Sequence, residues 1–214
     1  MKLSEVLGRA QEEIREAYEQ KNELMRAVRR TTKLAKRAIF SIHKGELDEA
    51  RKLLDEAKKE LAEMRAFLNA RPGVASINVL GPAFQEYSEA EVLLAIVSGS
   101  DIPGPDELGV PPSDFLLGLA DVVGELRRRA LDALKSGRFR EAEACLELME
   151  EIYMELISLD EAQAILSELR RKCDIARRLI EATRGDISVE ARRLSLEKAL
   201  GRLEGLLKKL GGEA

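Results

Sequence analysis

The stretch FQEYSEAEVLLAI, residues 84–96, carries Glu86, Glu89 and Glu91 into a run that then turns almost wholly aliphatic. Glu86 and Glu89 stand three residues apart, which on a helix puts both carboxylates on one face. Carboxylates that close repel each other unless a cation or a base lies between them. Mg²⁺, a hard cation that takes oxygen ligands, suits such a pair. Held by carboxylates, it can activate a water and stabilise a leaving oxygen in phosphodiester cleavage. The same residues allow a second reading, in which acids in a first helical turn favour the helix dipole. Glu91 lies two residues beyond Glu89 and faces away from the pair.

Metal-assisted hydrolysis of this kind needs no histidine, and the chain has only one, His43. That excludes a His-rich zinc site and argues against a Ser-His-Asp triad. Neither a GxxxxGK[ST] loop nor a GxGxxG fingerprint occurs. Further along, Asp114, Gly118, Asp121 and Glu125 are spaced to share a helix face. Ser113 or Asp114 suits a helix cap. Glu125 precedes Arg128 and Arg129 by three and four residues, the spacing of a local ion pair.

A second chemical feature precedes the acids. KNELMRAVRRTTKLAKRAIFSIHK, residues 21–44, holds eight Lys or Arg against one acid, Glu23. Arg26, Arg29, Arg30, Lys33, Lys36 and Arg37 step by three or four, opposite an aliphatic stripe. Like charges so spaced repel, so helix stability does not account for them. A phosphate backbone does, because each cationic contact releases condensed counterions. The competing reading is a solvated face neutralised by acids of the next helix, such as Asp48, Asp55 and Glu56. Membrane binding fits poorly, because Thr31 and Thr32 interrupt the apolar side. His43 closes the stripe, as a helix-end residue or as a further phosphate contact.

Helices must position these groups. The chain of 214 residues is 45% hydrophobic, 35% charged and 4% aromatic, with no Trp and a net charge of −4. Abundant Ala, Leu, Glu, Arg and Lys mark a helical protein, and net charge alone selects no nucleic acid. Periodicity and stop signals predict seven helices, near 3–44, 47–70, 82–98, 113–137, 138–159, 160–184 and 188–210. Arg71-Pro72-Gly73 ends the second, and Gly185-Asp186 separates the last two. VASINVLG is strand-like in composition but isolated, and reads as a loop or a helix start. SGSDIPGPDELGVPP is the clearest break. HKGELDEARKLLDEA and KSGRFREAEACLELM are two similar helix–turn–helix corners, without the period of about 34 that a solenoid needs. An elongated all-α bundle is expected. Two cysteines, Cys145 and Cys173, suggest a reducing compartment rather than a disulfide framework. No charged-then-apolar leader opens the chain, and no apolar run reaches the roughly 18 residues of a membrane helix. A cytoplasmic, soluble protein with no membrane partner is therefore expected.

TTKLAKRAIFSIHK, QEYSEA and VPPSDFLLGLADVVGELRRRALDAL together resemble the translin family, most nearly its catalytic branch, translin-associated factor X. The order and spacing fit, and the helical reading covers nearly the whole chain as one domain, 1–214. The resemblance implies a seven-helix all-α bundle that assembles into closed octamers around nucleic acid. It implies binding of RNA or single-stranded DNA and, in the factor X-like branch, Mg²⁺-dependent endoribonuclease activity. The acid pair of that branch maps onto Glu86 and Glu89. The translin branch lacks that pair but keeps an acid where Glu125 stands, which fits a structural role for Glu125. The catalytic branch also has an aspartate just after a tyrosine on the fifth helix. Counting from GEL puts Tyr153 at the tyrosine and Met154 at the aspartate, and Met is a poor Mg²⁺ ligand. Glu150, one turn earlier, is the expected replacement, with Glu151 in reserve. Arg29, Arg30, Lys33, Lys36, Arg37 and His43 are the expected nucleic-acid contacts. A non-cutting binder and a helical scaffold for protein partners stand as alternatives.

Overall fold

The computed structural model describes residues 3–70 and 79–211. Among the described residues the chain forms eight α-helices and no strand. α1 (Leu3–Lys44), α2 (Leu47–Asn69), α3 (Gly81–Ser98), α4 (Pro105–Leu108) and the opening of α5 (Pro112–Lys135) belong to one compact unit, Met1–Val122. The rest of α5, with α6 (Phe139–Ile157), α7 (Asp160–Ile165) and α8 (Ser167–Gly211), belongs to a second, Val123–Ala214.

The all-α expectation holds, with eight helices in place of seven. α4 is a single turn inside the 98–112 connection. The predicted break at Gly185-Asp186 is absent, and α8 runs straight through it. A helical glycine costs about 1 kcal/mol. Here Ile187 is buried in a cluster with Ala130, Ala133, Ala142 and Cys145, and Asp186 pairs with Arg127 at 3.1 Å. Those contacts outweigh the local cost. The break falls earlier, at Leu166 (φ −102°, ψ 85°). α2 ends at Asn69, so the stop assigned to Arg71-Pro72-Gly73 and most of VASINVLG lie outside the described residues.

The two similar corners are real and alike. Glu46 N–H reaches Ser41 O and Gly45 N–H reaches Ile42 O; Arg138 and Gly137 repeat the pattern onto Ala133 O and Leu134 O. Gly45 (φ 79°) and Gly137 (φ 71°) supply the left-handed residue this helix ending requires.

In the first unit α1, α2 and α3 pack against one another. α1 buries no residue before Leu24; from there Leu24, Ala35, Ala38 and Ile42 face inward. α3 is enclosed on nearly every side, with Tyr87, Val92 and Leu93 fully buried. The opening of α5 meets it closely. A Cβ on Gly118 would stand 2.4 Å from the Gln85 carbonyl oxygen and 2.9 Å from Ser88 Cβ, so only glycine fits. The expected Ser113 or Asp114 cap is corrected: α5 already begins at Pro112. Asp114 is buried and instead accepts from Gln85 Nε2 at 3.1 Å.

Gly118→Ala must push α5 off α3 and should lower Tm by roughly 3–10 °C, as overpacking does. Gly124→Ala, whose Cβ meets nothing within 4 Å, should leave Tm unchanged or slightly raised. Thermal melts followed by circular dichroism distinguish the two, and equal melting of wild type and Gly118→Ala would refute the tight crossing.

Candidate functional site

α1 presents its cations outward because its other face is committed to the core. Arg29, Arg30, Lys33, Lys36 and Arg37 are exposed, while Ala27, Leu34, Ala35 and Ala38 are buried. Thr31, which looked like an interruption of the apolar face, is fully buried and donates to its own Ala27 carbonyl at 3.2 Å. Its hydroxyl is satisfied within the helix and costs the core little.

The stripe is only partly neutralised. Arg30 grips Glu60 of α2 with two bonds, at 2.9 and 3.3 Å. Glu60 does what was expected of Asp48, Asp55 or Glu56; Asp48 pairs with Arg51 instead, at 2.9 Å. Lys36 Nζ lies 3.0 Å from Glu86 Oε1 on α3. Arg29, Lys33 and Arg37 form no ion pair among the described residues. They edge a groove of about 540 Å³ whose floor includes Met25, Phe40 and Pro82. His43 is half-buried at the end of α1.

The three acids of α3 diverge in environment. None lies in the first turn, because the helix opens at Gly81 with Pro82 behind it. The helix-dipole reading therefore fails for this stretch, since the dipole acts within the first turn. Glu86 is about a quarter exposed and meets Lys36. Glu89, one turn on, is buried. Glu91 is half-buried with Tyr87 and the α2 residues Asp55 and Lys58 acting on it. Burial pushes the Glu91 carboxyl up, against the opposing Tyr87 hydroxyl and Lys58 ammonium, and Asp55 adds to the rise. Burial likewise raises Tyr87, with Glu91 reinforcing it.

In the second unit, Glu150 is half-buried and pairs with Arg184 of α8 at 2.7 Å. Glu151 and Met154 are exposed, and Tyr153 is half-buried. Glu125 lies 3.9 Å from Arg128, the local pair its spacing suggested, while Arg129 turns to Glu141 at 2.7 Å. Cys145 and Cys173 are free and buried. Among the described residues no three His, Cys, Asp or Glu side chains are grouped so as to hold a metal. No described helix is long and apolar enough to cross a membrane.

Residues 79–182, which include α3 and all of α5 and α6, match the Translin family. An uncharacterized protein of Methanocaldococcus jannaschii is 32% identical over 186 residues, covering 86% of this chain and 82% of that protein. The chain belongs to the Translin family. Among solved structures, this Translin-family chain is similar to AfC3PO in complex with duplex RNA, at 32% identity and a TM-score of 0.76, covering 87% of this chain and 97% of that one. It is also similar to apo-NeC3PO, at 27% identity and a TM-score of 0.74, covering 86% and 96%. The translin-type all-α fold expected from the three motifs is therefore established.

Sequence reasoning missed the Lys36–Glu86 pair, the Gln85–Asp114 bond and the exposed Phe40 beside the stripe. Only Phe40 carried a signal, as an aromatic beside Arg37 and Lys36 in an amphipathic helix.

Because the Glu91 value is raised on folding, its contribution to stability is full below the ordinary carboxyl value of 4.5 and is lost as pH rises through the folded value. Glu91→Gln should therefore raise Tm at neutral pH and leave it unchanged in acid below that value. Equal Tm shifts at both pH values would remove the buried charge as the cause.

Proposed function

We propose that this protein binds RNA along the basic face of α1 and cleaves it, with Mg²⁺, at Glu86 and Glu89. The observation that carries the reading is the position of Lys36: it belongs to the cationic stripe and also touches Glu86. A phosphate drawn to Arg29, Lys33 and Arg37 arrives within one or two helical turns of a carboxylate. The RNA-bound relative AfC3PO supports the choice of ligand.

The donor set fits the metal. Mg²⁺ keeps several waters and is commonly held by one or two carboxylates together with substrate phosphate oxygens. Glu86 and Glu89 supply two carboxylates on one helix, and Glu86 already accepts one cation, the Lys36 ammonium. When bound, Mg²⁺ would polarise the scissile phosphate and lower the pKa of an attacking water. Glu150 is proposed as a third ligand, with Glu151 in reserve; Glu150 must first leave Arg184. Arg29, Lys33, Lys36, Arg37 and His43 would hold the RNA backbone, and Arg30, tied to Glu60, would serve less directly. Single-stranded DNA offers the same phosphates.

A homo-oligomer, of the closed octameric kind, forms part of the proposal. Leu3, Leu7, Ile14 and Tyr18 are exposed at heptad-like spacing on a stretch of α1 that buries nothing. Such a segment needs a partner to stay helical. The protein is proposed to act in the cytoplasm.

A second reading is a binder that does not cut. The Lys36–Glu86 ion pair favours it, because the carboxylate is already neutralised without metal.

Cleavage of a labelled short RNA by wild type and by Glu86→Ala/Glu89→Ala, with Mg²⁺ and with EDTA, decides between them. The nuclease reading expects cutting by wild type only, and only with Mg²⁺. RNA held intact by both proteins would establish the binder. Separately, Lys33→Ala/Arg37→Ala should weaken binding and flatten the dependence of log K on log salt by roughly two units. An unchanged slope, measured by fluorescence anisotropy across a salt series, would take both residues out of the interface.

A further inference from the structure

Phe40 is the only exposed phenylalanine among the described residues, at 51% exposure. It sits on α1 within the cationic stripe, and Lys44 Nζ stands 4.6 Å from its ring centroid. The ring, with Met25 and Pro82, lines the groove of about 540 Å³ that Arg29, Lys33 and Arg37 edge. The groove is thus lined by apolar side chains together with cationic ones.

We infer that this groove seats an unpaired nucleobase of the bound RNA, stacked on Phe40, while its flanking phosphates lie on Arg29, Lys33 and Arg37. The inference rests on the RNA-binding reading above and adds to it a base-stacking subsite at Phe40. Charge decides the occupant. An apolar protein segment filling the groove would desolvate three cations that have no internal partner, at a cost. A nucleotide meets both kinds of side chain, its base covering the apolar ones and its phosphates meeting the cations. In a blunt duplex every internal base is covered on both faces and every base is paired, so that only the outer faces of the two end pairs are free. The groove therefore reads RNA with unpaired nucleotides, at an end, a bulge or a single strand, through stacking and not through base-edge hydrogen bonds.

The test compares two labelled RNAs, a short blunt duplex and the same duplex carrying an unpaired overhang, on full-length wild type, Phe40→Ala and Phe40→Tyr. Wild type is expected to prefer the overhang. Phe40→Ala should lower the ratio of the two affinities roughly tenfold, the order of one lost stacking contact. Phe40→Tyr, which keeps a ring, should restore it. A 5-iodouridine placed in the overhang should photo-crosslink to the peptide holding Phe40. A ratio unmoved by Phe40→Ala, or a crosslink elsewhere, overturns the inference while RNA binding stands. A change of oligomeric state in Phe40→Ala by light scattering also overturns it, and gives the groove to a second copy of the chain. Failure of wild type to bind either RNA removes the parent reading itself.

Discussion

A helix enclosed on nearly every side leaves its polar side chains little solvent into which they can turn. α3 is such a helix, and its burial governs the rest of the first unit. Each polar group must meet a group on a neighbouring helix or lose stability. Gln85 finds Asp114 of α5, Glu86 finds Lys36 of α1, Glu91 lies in the field of Asp55 and Lys58 of α2, and Tyr87 in that of Asp55. Gly118 sets how near α5 comes, since its missing Cβ admits the Gln85 carbonyl. The acids of FQEYSEAE are thus not interchangeable surface charge. Each has one environment, fixed by which neighbour it faces.

The basic stripe is divided by the same packing. Arg30 points along the α1–α2 contact and is met by Glu60. Lys36 points along the α1–α3 contact and is met by Glu86. Arg29, Lys33 and Arg37 are left without an acid to neutralise them. A cation with no internal partner gives the folded chain nothing directly and raises the repulsion along α1. Its retention is intelligible as attraction for an anion from outside, which gives physical content to a local positive face on a chain of net charge −4.

Helix positions were legible where periodicity and a glycine stop agreed: α1 runs from Leu3 to Lys44 and α2 from Leu47, as read. The motifs PPSDFLLGLADVVGEL and QEYSEA carried the family, and with it the all-α fold. Local rules failed where tertiary contacts outweighed them. Gly185 looked like a break, but buried Ile187 and the Arg127–Asp186 pair hold the helix through it. Asp114 looked like a cap, but a partner 29 residues away claims it. The acids looked like a first turn although the helix start is read within one residue of its place, and Glu86 lies beyond the first turn whether α3 begins at Gly81 or at Pro82. Partner choice was the least legible part of the site. That Arg30 meets Glu60 and not Glu56 depends on the register between α1 and α2, which no single-helix pattern contains.

The Lys36–Glu86 contact joins the two halves of the candidate site, and its strength bears on what the site can do. Lys36 is more than half exposed and Glu86 about a quarter. An ion pair so open to water is worth about 0–1 kcal/mol. That is too little to lock α1 to α3, whose attachment rests on the buried apolar residues around it. It is also little enough to be exchanged. A phosphate that engages Lys36 together with unpaired Lys33 and Arg37 gains several charge-assisted contacts for the loss of one weak pair. Glu86 would then be left facing the same phosphate with its charge uncompensated, a position in which a divalent cation is favoured. RNA binding on the stripe and cation binding at the acids are on this account linked through one lysine. On the proposed reading, the ion pair would be the resting arrangement of a site whose two ligands arrive together.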